Sequence, residues 1–259
     1  MADFLLDVSS HVATLTLCRP AVRNALTLPM VDALATAITD LYDRDDVNVL
    51  VLTGEGGHFC VGADLMANIE QIQGALGIEG SVATFHRLLR AVWNFPRPTI
   101  AAVSGDAVGF GMDLSLAFDL RIAAHTARFR HGFSNIALVP DGGSTMTLQR
   151  LVGTARAFEI MYFSDKVEAQ QALDMGLVNR VVPEPELGAA TAAWAGRLAR
   201  GPQKALRLSK QAMRASMGTA MDEALDREFA SQVQCLSGSD PLAGVMGWMN
   251  KTAPEFTER

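Results

Sequence analysis

Two stretches decide the fold: Phe59-Cys60-Val61-Gly62-Ala63-Asp64-Leu65 and Val108-Gly109-Phe110-Gly111-Met112-Asp113-Leu114. Each follows a short apolar run with strand character, residues 47–52 and 99–103, and each leads into a segment that can be helical. A strand, a tight turn and a helix start leave backbone N–H groups without intrahelical acceptors, with the positive end of the helix dipole behind them. Two such turns meeting in space hold one oxygen between two donors. That oxyanion-hole arrangement suits chemistry at a carbonyl.

Outward from these turns, strands and helices alternate. Residues 11–17 alternate and carry β-branched side chains, predicting an opening strand. Thr27 caps a helix over 28–42, with Pro29 in the first turn and Val31, Leu34, Ala35, Ile38 and Leu41 on one face. The unpatterned apolar run 47–53 is the kind of strand that is buried on both faces. Residues 69–80 have the glycines and glutamines of a loop or loose helix. Helical spacing returns over 82–93 and ends at Pro96 and Pro98, before a strand at 99–104. Further strands are expected at 120–124 and 177–182. Helices are expected at 145–151, 155–163 and 167–175, with Gly153 and Gly176 in C-terminal cap positions. From 187 to 249 the pattern is nearly all helical, broken at Gly201-Pro202, Gly218 and 238–241. The chain therefore reads as an α/β core over 1–183 followed by a helical region over 184–259.

The 259 residues suffice for a substantial core, and 49% apolar with 19% charged residues is ordinary for a globular enzyme. A net charge of −6 argues against general affinity for nucleic acid or anionic membrane. The opening Met1-Ala2-Asp3-Phe4-Leu5-Leu6-Asp7 has no basic segment before its apolar residues and does not read as a secretory leader. No apolar run approaches the ~20 residues that span a bilayer. Cys18, Cys60 and Cys235 are scattered, which predicts buried thiols in a reducing, cytoplasmic setting. His58, His86 and His131 lack ligand spacing, so no metal site is expected.

Taken in order, the motifs resemble the crotonase (enoyl-CoA hydratase/isomerase) superfamily. They are Arg19-Pro20 with Asn24-Ala25-Leu26, the two turns, and Pro98-Thr99-Ile100-Ala101-Ala102-Val103-Ser104-Gly105. Asp119-Leu120-Arg121-Ile122-Ala123, the segment from Leu138 to Thr145, the segment from Ala172 to Val178, and Lys251 with Pro254-Glu255-Phe256 complete the set. The resemblance implies a spiral of ββα units, a helical C-terminal region used for trimerisation (homotrimer or dimer of trimers), and a coenzyme A thioester as substrate. No permanently bound cofactor is implied. The thioester oxygen is implied to accept from the N–H groups of Ala63 and Phe110. Phe110 stands where many relatives have glycine, which matters only if the turn needs positive φ there; otherwise its ring is expected to line the acyl pocket. Ala63, Asp64, Leu65 and Met66 are implied to run along the CoA, Arg19 and Arg23 to meet its phosphates, and Lys251, after Trp248, to reach a neighbouring subunit's nucleotide.

The carboxylates separate the chemistries. Hydratase-like members hold one water between two acids. Here one of those places is Asp113 and the other is Phe133, which exchanges no proton. Asp141 after Pro140 resembles the single base of isomerase-like members, so the expected reaction is double-bond migration, with hydration as the alternative. Asp113 also suits the first turn of a helix as a dipole partner, and Asp141-Gly142-Gly143 is also a plain turn sequence. Asp64 reads as a helix cap and Asp119 as structural. A covalent role for an aspartate near Asp141, in acyl-CoA dehalogenation or hydrolysis, is a rival within the superfamily. Gly109-Phe110-Gly111 lacks the rest of a dinucleotide fingerprint, and Gly142-Gly143-Ser144-Thr145 makes no nucleophile elbow. A third reading is non-catalytic binding of a CoA ester or of RNA. It would rest on Arg197, Arg200, Lys204, Arg207, Lys210 and Arg214, which recur at helical spacing.

Overall fold

The computed structural model describes residues 2–201, 203–215, 221–252 and 254. Pro202, Gly218 and the closing Glu255-Phe256, which the sequence reading used, lie outside them. Nine strands and eleven helices are described: β1 (Phe4–Ser9), β2 (Val12–Leu17), α1 (Leu28–Asp40), β3 (Val49–Gly54), α2 (Leu65–Gln73), α3 (Gly77–Trp93), β4 (Thr99–Val103), β5 (Asp106–Val108), α4 (Phe110–Ala117), β6 (Leu120–Ala124) and β7 (Arg128–Arg130). Then come α5 (Ser144–Val152), α6 (Thr154–Phe163), β8 (Val167–Glu168), α7 (Ala169–Asp174), β9 (Arg180–Val182), α8 (Leu187–Ala199), α9 (Gln203–Ala215), α10 (Met221–Leu236) and α11 (Asp240–Asn250).

The main sheet runs β1-β2-β3-β4-β6-β9, with β1 antiparallel to β2 and the other pairs parallel. A smaller sheet, β5-β7-β8, sits beside it. The central strands are buried on both faces, which is why their sequences show no alternation. Leu50, Leu52, Ala101, Val103 and Ala123 enter the large core with α1, α3 and α4. Val49, Val51, Ile100, Ala102, Ile122 and Ala124 face the other way and pack with Leu187, Ala195 and Ala199 of α8. The first helix of the C-terminal region thus covers one face of the sheet.

Three expectations change in detail. The stretch 69–80 holds the end of α2 and the start of α3, with Gly74 and Gly77 marking the break. The expected helix at 167–175 opens instead as β8, paired to β7. Its helical part starts at Ala169, with the Glu168 N–H donating to Gln171 Oε1 at 3.0 Å. The edge strand β1 carries outward-facing Leu5 and Leu6, so burial gave it no readable pattern. Among the described residues no helix is long and apolar enough to cross a membrane, and no cluster of His, Cys, Asp and Glu could hold a metal ion.

Candidate active site

The two turns abut. Cys60 and Ala107 form a parallel bridge, with the Cys60 N–H donating to Asp106 O and the Val108 N–H to Cys60 O, at 3.1 and 3.0 Å. Gly111 must be glycine because a Cβ there would stand 2.1 Å from Cys60 O. Gly62 has φ +90°, and a Cβ on it would lie 2.9 Å from Val108 O and 3.3 Å from the Phe110 nitrogen. The N–H groups of Cys60, Val61, Gly62 and Asp64 all have acceptors within the chain. Those of Ala63 and Phe110 find none among the described residues. Ala63 stands between Gly62 and Asp64, whose N–H groups are both taken, and is only part-buried.

The positive φ of the second turn falls on Gly109 at +55°, while Phe110 opens α4 with no left-handed φ. The side chain at 110 therefore costs the backbone nothing. Its ring is 4% exposed, edge-on to Phe85 at 4.7 Å, and belongs to the main core. The first turn is braced from the N-terminal side. Leu26 N–H donates to Gly62 O at 2.8 Å and Asp64 N–H to Leu26 O at 2.9 Å. The buried Asn68 amide accepts from Leu28 N–H and donates to Leu26 O, at 2.9 and 3.1 Å. Asn24, fully buried, takes the Arg19 N–H and donates to Glu55 O and His58 O. Neither asparagine role was read from sequence, although Asn24 stands in one of the quoted motifs.

Asp141 lies in the turn before α5, 9% exposed, and its Oδ2 accepts from Gln232 Nε2 of α10 at 2.9 Å. Burial pushes its carboxyl up to about 6, against a smaller opposing pull from the Gln232 bond. Asp113 is fully buried on α4, and its Oδ2 accepts the Gly142 N–H at 3.2 Å. A Cβ on Gly142 would lie 2.4 Å from the Asp113 Cβ, so glycine lets α4 close on this turn. The structure therefore groups Asp113 and Asp141, with Asp113 gripping the turn that carries Asp141. His131 Nε2 is 3.1 Å from Ser144 Oγ and 4.0 Å from Asp113 Oδ1. Burial holds His131 and His86 down to about 4, so both are neutral near pH 7. Phe133 is buried beside His131, its ring centroid 5.0 Å away.

Other predicted residues take distinct places. Asp64 Oδ1 caps α2 by accepting from Ala67 N–H at 3.1 Å, and its Oδ2 pairs with Arg19 Nη2 at 3.0 Å. Arg19 is thereby engaged, whereas Arg23 pairs with Asp106 at 3.3 Å and stays half-exposed. Leu65 and Met66 open α2, Met66 facing outward. Lys251 is exposed at the left-handed C-cap of α11. Cys60 is buried, and desolvation pushes its thiol up to about 12, which leaves it no thiolate. Gln232 was not anticipated. Its only sequence signal is position, since Met221, Leu225, Phe229 and Gln232 share one face of α10 and it alone of them is polar.

A mostly parallel α/β sheet with two abutting glycine turns, and the buried Asp113 carboxylate on the helix that the second turn opens, is an arrangement suited to chemistry at a carbonyl. The family model "Enoyl-CoA hydratase/isomerase" matches residues 7–259. A probable enoyl-CoA hydratase of Rhodobacter capsulatus is 36% identical over 98% of this chain and 97% of its own length. The 1,2-epoxyphenylacetyl-CoA isomerase of Escherichia coli is 35% identical over 99% of both chains. A solved enoyl-CoA hydratase from Mycobacterium avium subsp. paratuberculosis superposes with a TM-score of 0.91, at 32% identity over 99% of each chain. The chain belongs to the enoyl-CoA hydratase/isomerase family and is an enzyme of the crotonase superfamily with its α/β fold.

Proposed function

We propose that this enzyme moves a double bond in an enoyl-CoA, with Asp141 as the one base. The observation that carries the reading is the buried Asp141 carboxylate, its ionisation lifted toward neutrality; the resemblance adds that Phe133 stands at the sequence position of the second hydratase acid. Asp141 takes a proton from C2 of a 3-enoyl thioester, and the electrons pass to the thioester oxygen. The N–H groups of Ala63 and Phe110 stabilise that oxyanion. Asp141 then returns the proton at C4, leaving a 2-enoyl product with no net gain or loss of atoms. Asp113 acts by holding the Asp141–Gly143 turn. CoA lies along Ala63, Asp64, Leu65 and Met66, with Arg23 at its phosphates and Lys251 reaching a neighbouring subunit's nucleotide. Hydration is the second reading, supported by the hydratase names of several relatives and by the closeness of Asp113 to the same turn.

A panel of 2-enoyl-, 3-enoyl- and aryl-CoA substrates followed by mass spectrometry tests this. Isomerisation leaves the mass unchanged; a product heavier by one water would overturn the proposal. Gly62→Ala is expected to lower kcat on the accepted substrate by about 10²-fold, the scale of one lost donor, because its Cβ would press on Val108 O and the Phe110 nitrogen. A parental kcat would remove the two turns from the mechanism.

We also propose assembly as a homotrimer or dimer of trimers. Phe158, Tyr162 and Phe163 of α6 and Leu242, Met246 and Trp248 of α11 are exposed, on two helices that both pack against residues 133–136. Such a patch favours a second copy of the chain. Light scattering giving a monomer at micromolar concentration would reject it.

A further inference from the structure

We propose that Gln232 is the positioning residue for Asp141, holding its carboxylate through Nε2 and, after a turn of the amide, able to accept from the protonated acid through Oε1. The inference rests on Asp141 being the base and adds a residue from the C-terminal helices to that site.

The observations are geometric. Gln232 is 3% exposed and its Nε2 lies 2.9 Å from Asp141 Oδ2. Its Oε1 is buried and has no hydrogen-bond partner among the described residues. A buried amide oxygen without a donor is costly, and a fold that needed only to fill this space would place an apolar side chain there. The orphan oxygen has a use once Asp141 has taken a proton, because the new O–H needs an acceptor that the Nε2 group cannot supply.

The helix carrying Gln232 is pinned over the site. Met221 and Leu225 pack with Met146 and the partly buried Trp93, and a Cβ on Gly143 would lie 2.9 Å from Met221 Sδ. Phe229 meets His86 edge-on at 6.1 Å. The stem of the amide is thereby held, and rotation about its terminal torsion exchanges Nε2 for Oε1 at the carboxylate.

The titratable and charged groups around Asp141 are few. From α3 comes His86, neutral and facing the Asp141 backbone carbonyl. From α4 comes Asp113, bonded to Gly142, with His131 and Ser144 beyond it. On α10, Asp222 and Asp226 pair outward with Arg90. Among the described residues, Gln232 is the one side chain recorded as donating to the Asp141 carboxylate.

The test is Gln232→Met, which keeps the length and volume and removes the amide, read in two ways. In the full-length enzyme labelled with carboxyl-¹³C aspartate, with Asp141→Asn for assignment, the Asp141 resonance should titrate about one unit higher than in the parent, since a donor to the ionised form is gone. In isomerisation assays kcat should fall by about 10-fold or more with KM changed less than about threefold, and the acid limb of kcat/KM should move up by the same amount. Gln232→Glu, which keeps polar atoms should the methionine variant not fold, should also move the titration up by placing a second acid beside the first. Unmoved titration and acid limb in the folded variants would overturn the role of Gln232. If Asp141→Asn retains parental turnover, Asp141 is not the base. The NMR titration still reports whether Gln232 controls it, so the two failures are distinguishable.

Discussion

Asp141→Asn should abolish double-bond migration, lowering kcat by about 10²–10⁴-fold, the usual worth of a positioned general base. Asparagine is nearly isosteric, and its Oδ1 can still accept from Gln232 Nε2, so affinity for a CoA thioester should stay within about threefold of the parent. Binding of a saturated acyl-CoA, followed by calorimetry, separates the two quantities. The reverse pattern, with Asp113→Asn lethal and Asp141→Asn silent, would reassign the base.

The same substitution carries a stability signature. Burial raises the folded-state pKa of Asp141 from 3.8 to about 6. A group raised in this way contributes its full stability when protonated, below the unfolded value, and that contribution is lost as pH climbs through the folded value. The parent therefore carries a burden above pH 6 that asparagine removes. A shift of roughly two units corresponds to at most about 3 kcal/mol. Asp141→Asn should melt several degrees above the parent at pH 8 and level with it near pH 4. For the parent, kcat/KM should fall below about pH 6 as the base becomes protonated. Equal melting temperatures across that range would show that Asp141 is not desolvated as its burial implies.

What the sequence disclosed of this site follows from where its information is local. The apolar runs of β3, β4 and β6 were readable because both faces of each strand are buried, so every position is apolar. The glycines of the two turns were readable because backbone passes within van der Waals contact of them. The strands β5 and β7 were not read, since three residues carry no period and their existence depends on partners far along the chain. The site divides in the same way. Asp113, in the first turn of α4 after Gly109 and Gly111, and Asp141, between Pro140 and Gly142, stand beside recognisable punctuation. Gln232 sits 91 residues from the carboxylate it bonds, on a helix where a lone glutamine looks like surface. Asn68 reads as an ordinary helical residue until Leu26 is packed against its amide. Arg19 shows the converse, a motif residue whose partners are far from it in sequence. A motif arginine suggested a phosphate contact, and only the fold shows its charge engaged by Asp64 and Asp3.

Lys210 and Arg214 of α9 are engaged in the same way, and they carry the second large prediction. Lys210 Nζ and Arg214 Nη2 both turn inward to Asp119, each at 2.7 Å. Asp119 also accepts the Thr99 N–H at 2.9 Å and donates its own N–H to Thr99 Oγ1 at 2.8 Å, tying the start of β4 to the loop before β6. Arg214 lies 3.5 Å from the centroid of the Trp93 ring. Two of the six residues in the basic stripe are thereby committed to the core and are poor phosphate ligands. Burial already pulls Lys210 down to about 8 with Asp119 present to hold its charge. Asp119→Ala removes that support and strands two mostly buried cations and a strand amide, so unfolding free energy at pH 7 should drop by about 3–5 kcal/mol, read by urea denaturation. Combining it with Lys210→Met should cost less than the sum of the single changes, because the methionine leaves one cation fewer to be stranded. A loss under about 1 kcal/mol for Asp119→Ala would mean that water reaches these charges, and Lys210 and Arg214 would then be free to turn outward with the rest of the stripe.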